Sequence, residues 1–249
     1  MIWLPIGFFV TAMLYASVGF GGGSTYSALL SLAGFDFRLL PIVSLCCNVV
    51  VVSGSTIRFA RAGVTPWRQA LILALIAAPL AFLGGRTPIK EGTFLLLLAI
   101  SLIGAGLALL LPRREQQDEK PTPLARWMPL AAAPLGYLAG LTGIGGGIFL
   151  APLLHFTRWA NARAIAATTS LFILINSLSG LYGQAIKNGN GVFGDALSGA
   201  LPLLIAVVVG GQIGSLLALR LLPERVIRWL TAALTIWAGT QLLWKQLMA

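Results

Sequence analysis

Two glycine clusters, Gly19-Phe-Gly-Gly-Gly23 and Gly143-Ile-Gly-Gly-Gly147, are the residues of this chain best placed to do chemistry. Each consecutive glycine costs close to ~1 kcal/mol in a helix interior relative to Ala, and glycine admits left-handed backbone angles. The apolar pattern resumes directly after each cluster, at Ser24-Thr-Tyr-Ser-Ala-Leu-Leu and at Ile148-Phe-Leu-Ala-Pro-Leu-Leu. A helix that begins there leaves its first N–H groups unpaired and sets the positive end of its dipole at the glycine tip. Gly19, Gly21, Gly22 and Gly23, together with Gly143, Gly145, Gly146 and Gly147, therefore read as two anion-binding tips that need no buried Lys or Arg. Ser24 and Thr25 add hydroxyl donors to the first cluster, and Thr142 stands beside the second. Neither cluster is a dinucleotide fingerprint, because no strand precedes it and no acidic residue follows in a soluble βαβ unit. The bland alternative for such glycines is close packing of helices.

The segment after each cluster carries a polar stripe. Ser44, Asn48 and Val52 are spaced by four, and Thr168, Phe172 and Asn176 occupy the corresponding helix face in the second copy. Asn48, Thr168, Thr169 and Asn176 are thus candidate substrate contacts, with an ordinary interhelical hydrogen bond as the alternative role.

Other chemistry lacks its components. His155 is the single histidine, with no Asp, Glu or Cys in helical reach to complete a metal or catalytic group. Cys46 and Cys47 are adjacent on an apolar run, where neighbouring side chains diverge by about 100° and cannot bridge one another. No Asp, Glu or His falls near the middle of an apolar segment, which disfavours a buried acid–base dyad. The expectation is no enzyme activity, no catalytic residue, no metal and no cofactor.

These residues sit in a chain whose solvent is lipid. Of 249 residues, 57% are apolar and 10% charged, and the mean hydropathy is +0.89. Runs at 41–57, 67–84, 94–111, 164–182, 197–219 and 226–244 approach or reach the ~20 residues that span a bilayer core, and none alternates as a barrel strand does. The net charge of +10 comes from Lys and Arg in short loops, which fits orientation in a membrane and not nucleic-acid binding. The first apolar stretch has no basic n-region and no Ala-x-Ala site, and it reads as a retained segment.

The chain is also duplicated. Trp3-Leu-Pro5 and Trp127-Met-Pro129 precede the two clusters at one common offset of 124 residues, and Gly84-Gly85 pairs with Gly210-Gly211 near that offset. The expected organisation is a first repeat over 1–112, a polar linker over 113–126 and a second repeat over 127–249. Trp3 to Ala33 as one helix would measure about 46 Å, beyond a hydrocarbon core of about 30 Å, so the segment must break. If residues 3–33 and 127–156 each enter and return on one side, the 17 basic residues divide 12 to 5 across the membrane; if each crosses once, they divide almost evenly. The hairpin arrangement obeys the positive-inside tendency. It leaves three single crossings per half, which inverts the second half relative to the first. The predicted fold class is an all-α polytopic membrane protein of two inverted repeats, each a glycine-broken hairpin plus three transmembrane helices.

With both glycine clusters, Thr168-Thr-Ser-Leu171 and the four-segment halves in view, the chain resembles the sulfite exporter TauE/SafE family over nearly its whole length. The resemblance implies a bacterial inner-membrane transporter exporting sulfite, sulfonates or related oxyanions, and the positive-inside tendency predicts the linker over 113–126 to be cytoplasmic. The first half departs from the pattern, with Ala28 where the second has Pro152 and Ser44-Leu-Cys-Cys47 in place of Thr168-Thr-Ser-Leu171. The expected partners are a small anionic substrate and the lipid bilayer, with a homo-oligomer left open. A non-transporting scaffold or assembly factor, and a carrier of another small ion or metabolite, are the competing readings.

Overall fold

The computed structural model describes residues 3–17, 19–110, 121–217 and 224–248, and every regular element among them is helical. Helices α1 (Trp3–Ser17) and α2 (Gly23–Leu32) flank the first glycine cluster, and α3 (Leu39–Arg61), α4 (Trp67–Arg86) and α5 (Glu91–Leu110) follow. A short 3₁₀ turn over Pro123–Trp127 leads into α6 (Met128–Thr142) and α7 (Gly147–Phe156), which flank the second cluster, then α8 (Ala162–Leu217) and α9 (Glu224–Met248). Gly189, at φ 75° and ψ 169°, breaks α8 into two limbs, Ala162–Gly189 and Gly191–Gly214. Each half therefore holds one broken pair and three longer helices, the arrangement the sequence predicts. Residues 111–120, most of the expected linker, lie outside the described residues.

Five segments, α3, α4, α5 and the two limbs of α8, are long and apolar enough to cross a membrane. α9 is less apolar because charged and amide residues, Glu224, Arg225, Arg228, Gln241, Lys245 and Gln246, occur along it, and Thr231 and Thr235 face inward, fully buried. The outer surface is apolar in the manner of a lipid-facing wall: Leu75, Ile100, Leu130, Leu201 and Ile205 are all exposed. Trp3, Trp67, Trp127 and Trp244, exposed near helix ends, supply the aromatic residues that favour a membrane–water interface.

Glycine contacts give the helix directions. A Cβ on Gly136 would overlap Ala77, and one on Gly140 would overlap the Ala81 carbonyl, so α6 runs parallel to α4. Gly210 and Gly214 press in the same way on the carbonyls of Phe9 and Met13, so the second limb of α8 runs parallel to α1. The two crossings are counterparts: the broken pair of each half seats against the second of the three longer helices of the other. α5 and α9 also correspond, and they run antiparallel, since Gly106 meets Ala232 and Ile236 while Gly239 meets Ala99 and Ile103.

The same contacts show that both broken pairs are hairpins. Gly180 lies beside Leu45 and Ala81, and Gly211 beside Val51, six residues further along α3, a rise of about 9 Å. Residues 180 and 211 are too far apart in sequence to sit that close unless the chain reverses at Gly189. The first limb of α8 then follows α4 and the second follows α3. Because α1 shares the direction of α3, α2 must return between them; because α6 shares the direction of the first limb of α8, α7 must return likewise. The two hairpins enter from opposite ends of the bundle.

Backbone contact this close leaves no room for a side chain, and overpacking typically costs about 1–3 kcal/mol or more. Gly140→Val is expected to lower the thermal unfolding temperature in detergent markedly, whereas Gly104→Ala, with open space around it, leaves that temperature unchanged or slightly raised. Equal behaviour of the two variants would contradict the α4–α6 crossing.

Candidate functional site

The two glycine tips are built alike. Gly22 takes φ 86° as the N-cap of α2, and its carbonyl accepts the N–H groups of Thr25 and Tyr26 at 3.0 and 3.1 Å. Gly146, its counterpart at the 124-residue offset, takes φ 78° as the N-cap of α7, and its carbonyl accepts the N–H groups of Phe149 and Leu150, both at 3.2 Å. Gly19, Gly143 and Gly145 are also left-handed, at φ 82°, 77° and 82°. Neither N-cap supplies a side-chain bond, so the N–H groups of Gly23, Ser24, Gly147 and Ile148 precede the first helical hydrogen bonds. Each short helix thus points its dipole's positive end at its tip.

Asn48 joins the tips. Its Nδ2 donates to the Ile144 carbonyl at 3.1 Å and approaches the Gly143 carbonyl at 3.5 Å, both on the second tip. Its Oδ1, fully buried, has no hydrogen-bond partner among the described residues and faces the first tip, where a Cβ on Gly21 would collide with it. A Cβ on Gly23 would stand 2.7 Å from the Gly143 carbonyl, and one on Gly145 would stand 2.7 Å from Asn48 Nδ2. The glycines at 21, 23 and 145 are therefore required for close approach: they let two chain reversals from opposite ends meet around one amide.

The first limb of α8 passes both tips. Ser170 Oγ donates to the Gly19 carbonyl at 3.0 Å, tying the first tip. At the second tip, Thr169 and Ile173 pack on Gly147, and Ser177 Oγ lies 3.1 Å from the position of a Cβ on Gly145. Ser177 Oγ, Thr168 Oγ1, Thr169 Oγ1 and Asn176 Oδ1 are buried without hydrogen-bond partners among the described residues. Unpaired buried polar atoms are uncommon, and each costs about 1–3 kcal/mol, so a cluster of them suits a site that a ligand or water completes. The hydroxyls of Thr168, Thr169 and Ser177 can donate to an anion, as can the tip N–H groups. The two amide oxygens can only accept, which suits water or the O–H of a protonated acid.

Of the residues expected from sequence, the structure gathers both glycine tips, Asn48 and Thr169 directly around one point. Thr168 is buried on the same limb of α8. Asn176 donates its amide to the Phe172 carbonyl one turn back, at 2.8 Å, and keeps only its oxygen free. Thr25 turns away from its tip: its hydroxyl pairs with Tyr15 Oη at 2.8 Å, and Tyr15 in turn bonds Thr235 of α9. Ser24 is buried in the first turn of α2. Thr142 donates to the Leu138 carbonyl within its own helix. Ser44, the hydroxyl of the first-half stripe, pairs with Ser27 at 2.7 Å and fastens α2 to α3. Ser170 and Ser177 were not among the expected residues. Ser177 lies eight positions after Thr169, on a stripe adjacent to the Thr168 stripe, and that spacing was its available signal.

The comparisons with known proteins bear on this arrangement. The family model described as sulfite exporter TauE/SafE matches residues 3–242, a range that contains both hairpins and the helices around them up to the end of α9. The chain belongs to the TauE/SafE family. It is 34% identical over 248 residues to a probable membrane transporter protein of Sinorhizobium fredii, covering 98% of each chain. It is 22% identical to a probable membrane transporter protein of Methanocaldococcus jannaschii, covering 92% of this chain and 90% of the other. A third such protein, from Xylella fastidiosa, is 29% identical over 80% of this chain and 78% of its own. No solved structure matches. This TauE/SafE chain is accordingly a multi-pass membrane transporter, in keeping with its apolar helices.

Since Asn48 bridges the tips while Asn176 bonds only within its helix, their truncation should differ. Asn48→Leu strands two buried carbonyls of the second tip and is expected to destabilise the protein by about 1–3 kcal/mol, and Asn176→Leu by less. Chemical unfolding in mixed micelles measures both, and a greater loss for Asn176→Leu would contradict the bridging role.

Proposed function

We propose that this transporter moves a small anion, sulfite or an organosulfonate, by alternating access about the point where the two tips meet. The observation that carries the reading is Asn48, one buried amide touching two dipole-bearing tips that arrive from opposite ends. Peptide groups at that depth find no hydrogen bonds in lipid, and they persist only where protein or a water-filled cavity serves them. Unwound, oppositely entering half-helices at the midplane are the binding arrangement of many secondary transporters.

In this reading the first repeat (1–112) and the second (127–249) are inverted copies, and the antiparallel pairing of α5 with α9 supports that. The helix directions also sort the basic residues. Among the described residues, Arg58, Arg61, Arg68, Arg126, Arg158 and Arg163 lie at one face, while Arg38, Arg86, Lys90, Lys187 and Lys245 lie at the other. The positive-inside tendency then puts the linker in the cytoplasm of a bacterial cell, with the protein in the inner membrane. Asn48 and Ser170 hold the tips closed from α3 and from α8. An anion that recruits the tip N–H groups and the hydroxyls of Thr168, Thr169 and Ser177 competes with those ties, so that one hairpin can withdraw while the other stays seated.

Sulfite efflux from proteoliposomes tests this. Gly21→Ala, which drives a methyl into Asn48, is expected to lower the flux at least tenfold, equivalent to about 1.4 kcal/mol. Gly34→Ala, at a left-handed turn with open space around it, should cost stability but leave the flux of folded protein near wild type. Wild-type flux in a well-folded Gly21→Ala protein would remove the tips from the transport path.

A further inference from the structure

A second region of the molecule combines charge, volume and apolar walls without any assigned role. A cavity of about 220 Å³ opens at the face opposite the end of α3, between the start of α3, the loop joining α4 to α5, and the end of the first limb of α8. Phe37, Phe94, Ile89 and Leu141 form apolar walls, and Arg38 and Lys187 are its two cations. None of the lining residues is acidic. We propose that this vestibule is a docking station for small organic anions, an apolar body lying against Phe37, Ile89 and Phe94 with its anionic head on Lys187 and Arg38.

Three observations support the assignment. Lys187 Nζ, half-buried, has one hydrogen-bond acceptor among the described residues, the Thr87 carbonyl at a long 3.5 Å, although an ammonium carries three donors. Asp36, the nearest carboxylate in sequence, is engaged by the backbone N–H of Arg38 at 2.9 Å, while the Arg38 guanidinium lies 5.9 Å above the Phe37 ring. Membrane orientation does not account for these cations either, because their face is the one poor in Lys and Arg. Two of its five basic residues line a single cavity.

Size and chemistry set the ligand class. A bare oxyanion displaces little more than one or two waters of about 30 Å³ each, and most of the cavity would remain as water against apolar walls. A short alkyl or aryl sulfonate fills it and meets both kinds of wall. The station also leads inward. Pro41 lines the cavity and lies directly beneath Gly143, with a Cβ there 2.5 Å from the Pro41 Cα. From Pro41 to Asn48 is seven residues of α3, about 10 Å.

The physiological meaning rests on the transport reading above, but binding is measurable without it. Isothermal titration of the purified full chain in micelles with butane-1-sulfonate, and separately with sulfite, supplies the first arm. We expect saturable butanesulfonate binding that Lys187→Gln weakens about tenfold or more, as loss of a charge-assisted bond does, and that Lys187→Arg restores to within about threefold. Equal affinity in wild type and in folded Lys187→Gln protein, or sulfite binding as tightly as butanesulfonate at this site, would overturn the proposal. Proteoliposome flux is the second arm. Lys187-dependent binding without flux would sink the transport reading and keep the station, while flux with an unchanged KM in Lys187→Gln would remove the station and keep transport.

Discussion

A peptide group inside a bilayer has no water to bond to, and the glycine tips place several such groups at depth. Everything around them answers that constraint. The caps at Gly22 and Gly146 close the first helical turns, Ser170 takes the Gly19 carbonyl, and Asn48 takes the Ile144 carbonyl. What these partners leave over is a small set of donors and acceptors gathered at one point, within a bundle whose outer surface is otherwise apolar. In the transport reading, that remainder is what a polar solute binds. Its donors come mostly from the backbone and from hydroxyls, and a mid-span charge would have been far more expensive to bury.

The glycines serve two separable ends, which the structure distinguishes by what surrounds them. Gly22, Gly143 and Gly146 are needed for backbone angles, since each is left-handed at a turn. Gly84, Gly136, Gly140, Gly210 and Gly214 are helical and needed for proximity, because carbonyls of a neighbouring helix occupy the space where a Cβ would stand. The second group holds the hairpins in place. Without such contacts, short helices of 10 and 15 residues would have little to keep them at a defined depth.

Much of this was legible in the sequence, for physical reasons. Three adjacent glycines break a helix wherever they occur, and the apolar run around them exceeds the bilayer, so a reversal at 19–23 and at 143–147 could be read without coordinates. The division of Lys and Arg between loops chose hairpins over crossings, and the helix directions agree. Asn48 was recognisable from a polar stripe on an apolar helix, and Thr169 from its place next to Thr168 of the matching stripe. Thr25 and Ser24 were not distinguishable in the same way. Two neighbouring hydroxyls at a helix start look alike in sequence, and only the position of Tyr15 and Thr235, one of them 210 residues further on, decides that Thr25 braces α2. The vestibule was hidden for a similar reason: Arg38 and Lys187 belong to different halves, and each alone resembles any helix-end cation.

The exchange of contacts between halves has a consequence for how the protein is made. α1 seats its backbone in a groove formed by Gly210 and Gly214, and those residues leave the ribosome about 200 residues after it. At common synthesis rates of about 5–20 residues per second, the first hairpin waits roughly 10–40 s for its socket. During that interval its half-satisfied peptide groups are a liability in the nascent chain, and the insertion machinery or an early association of α1 with α3 must shelter them. Splitting the gene between the repeats would leave each fragment holding only half of every groove.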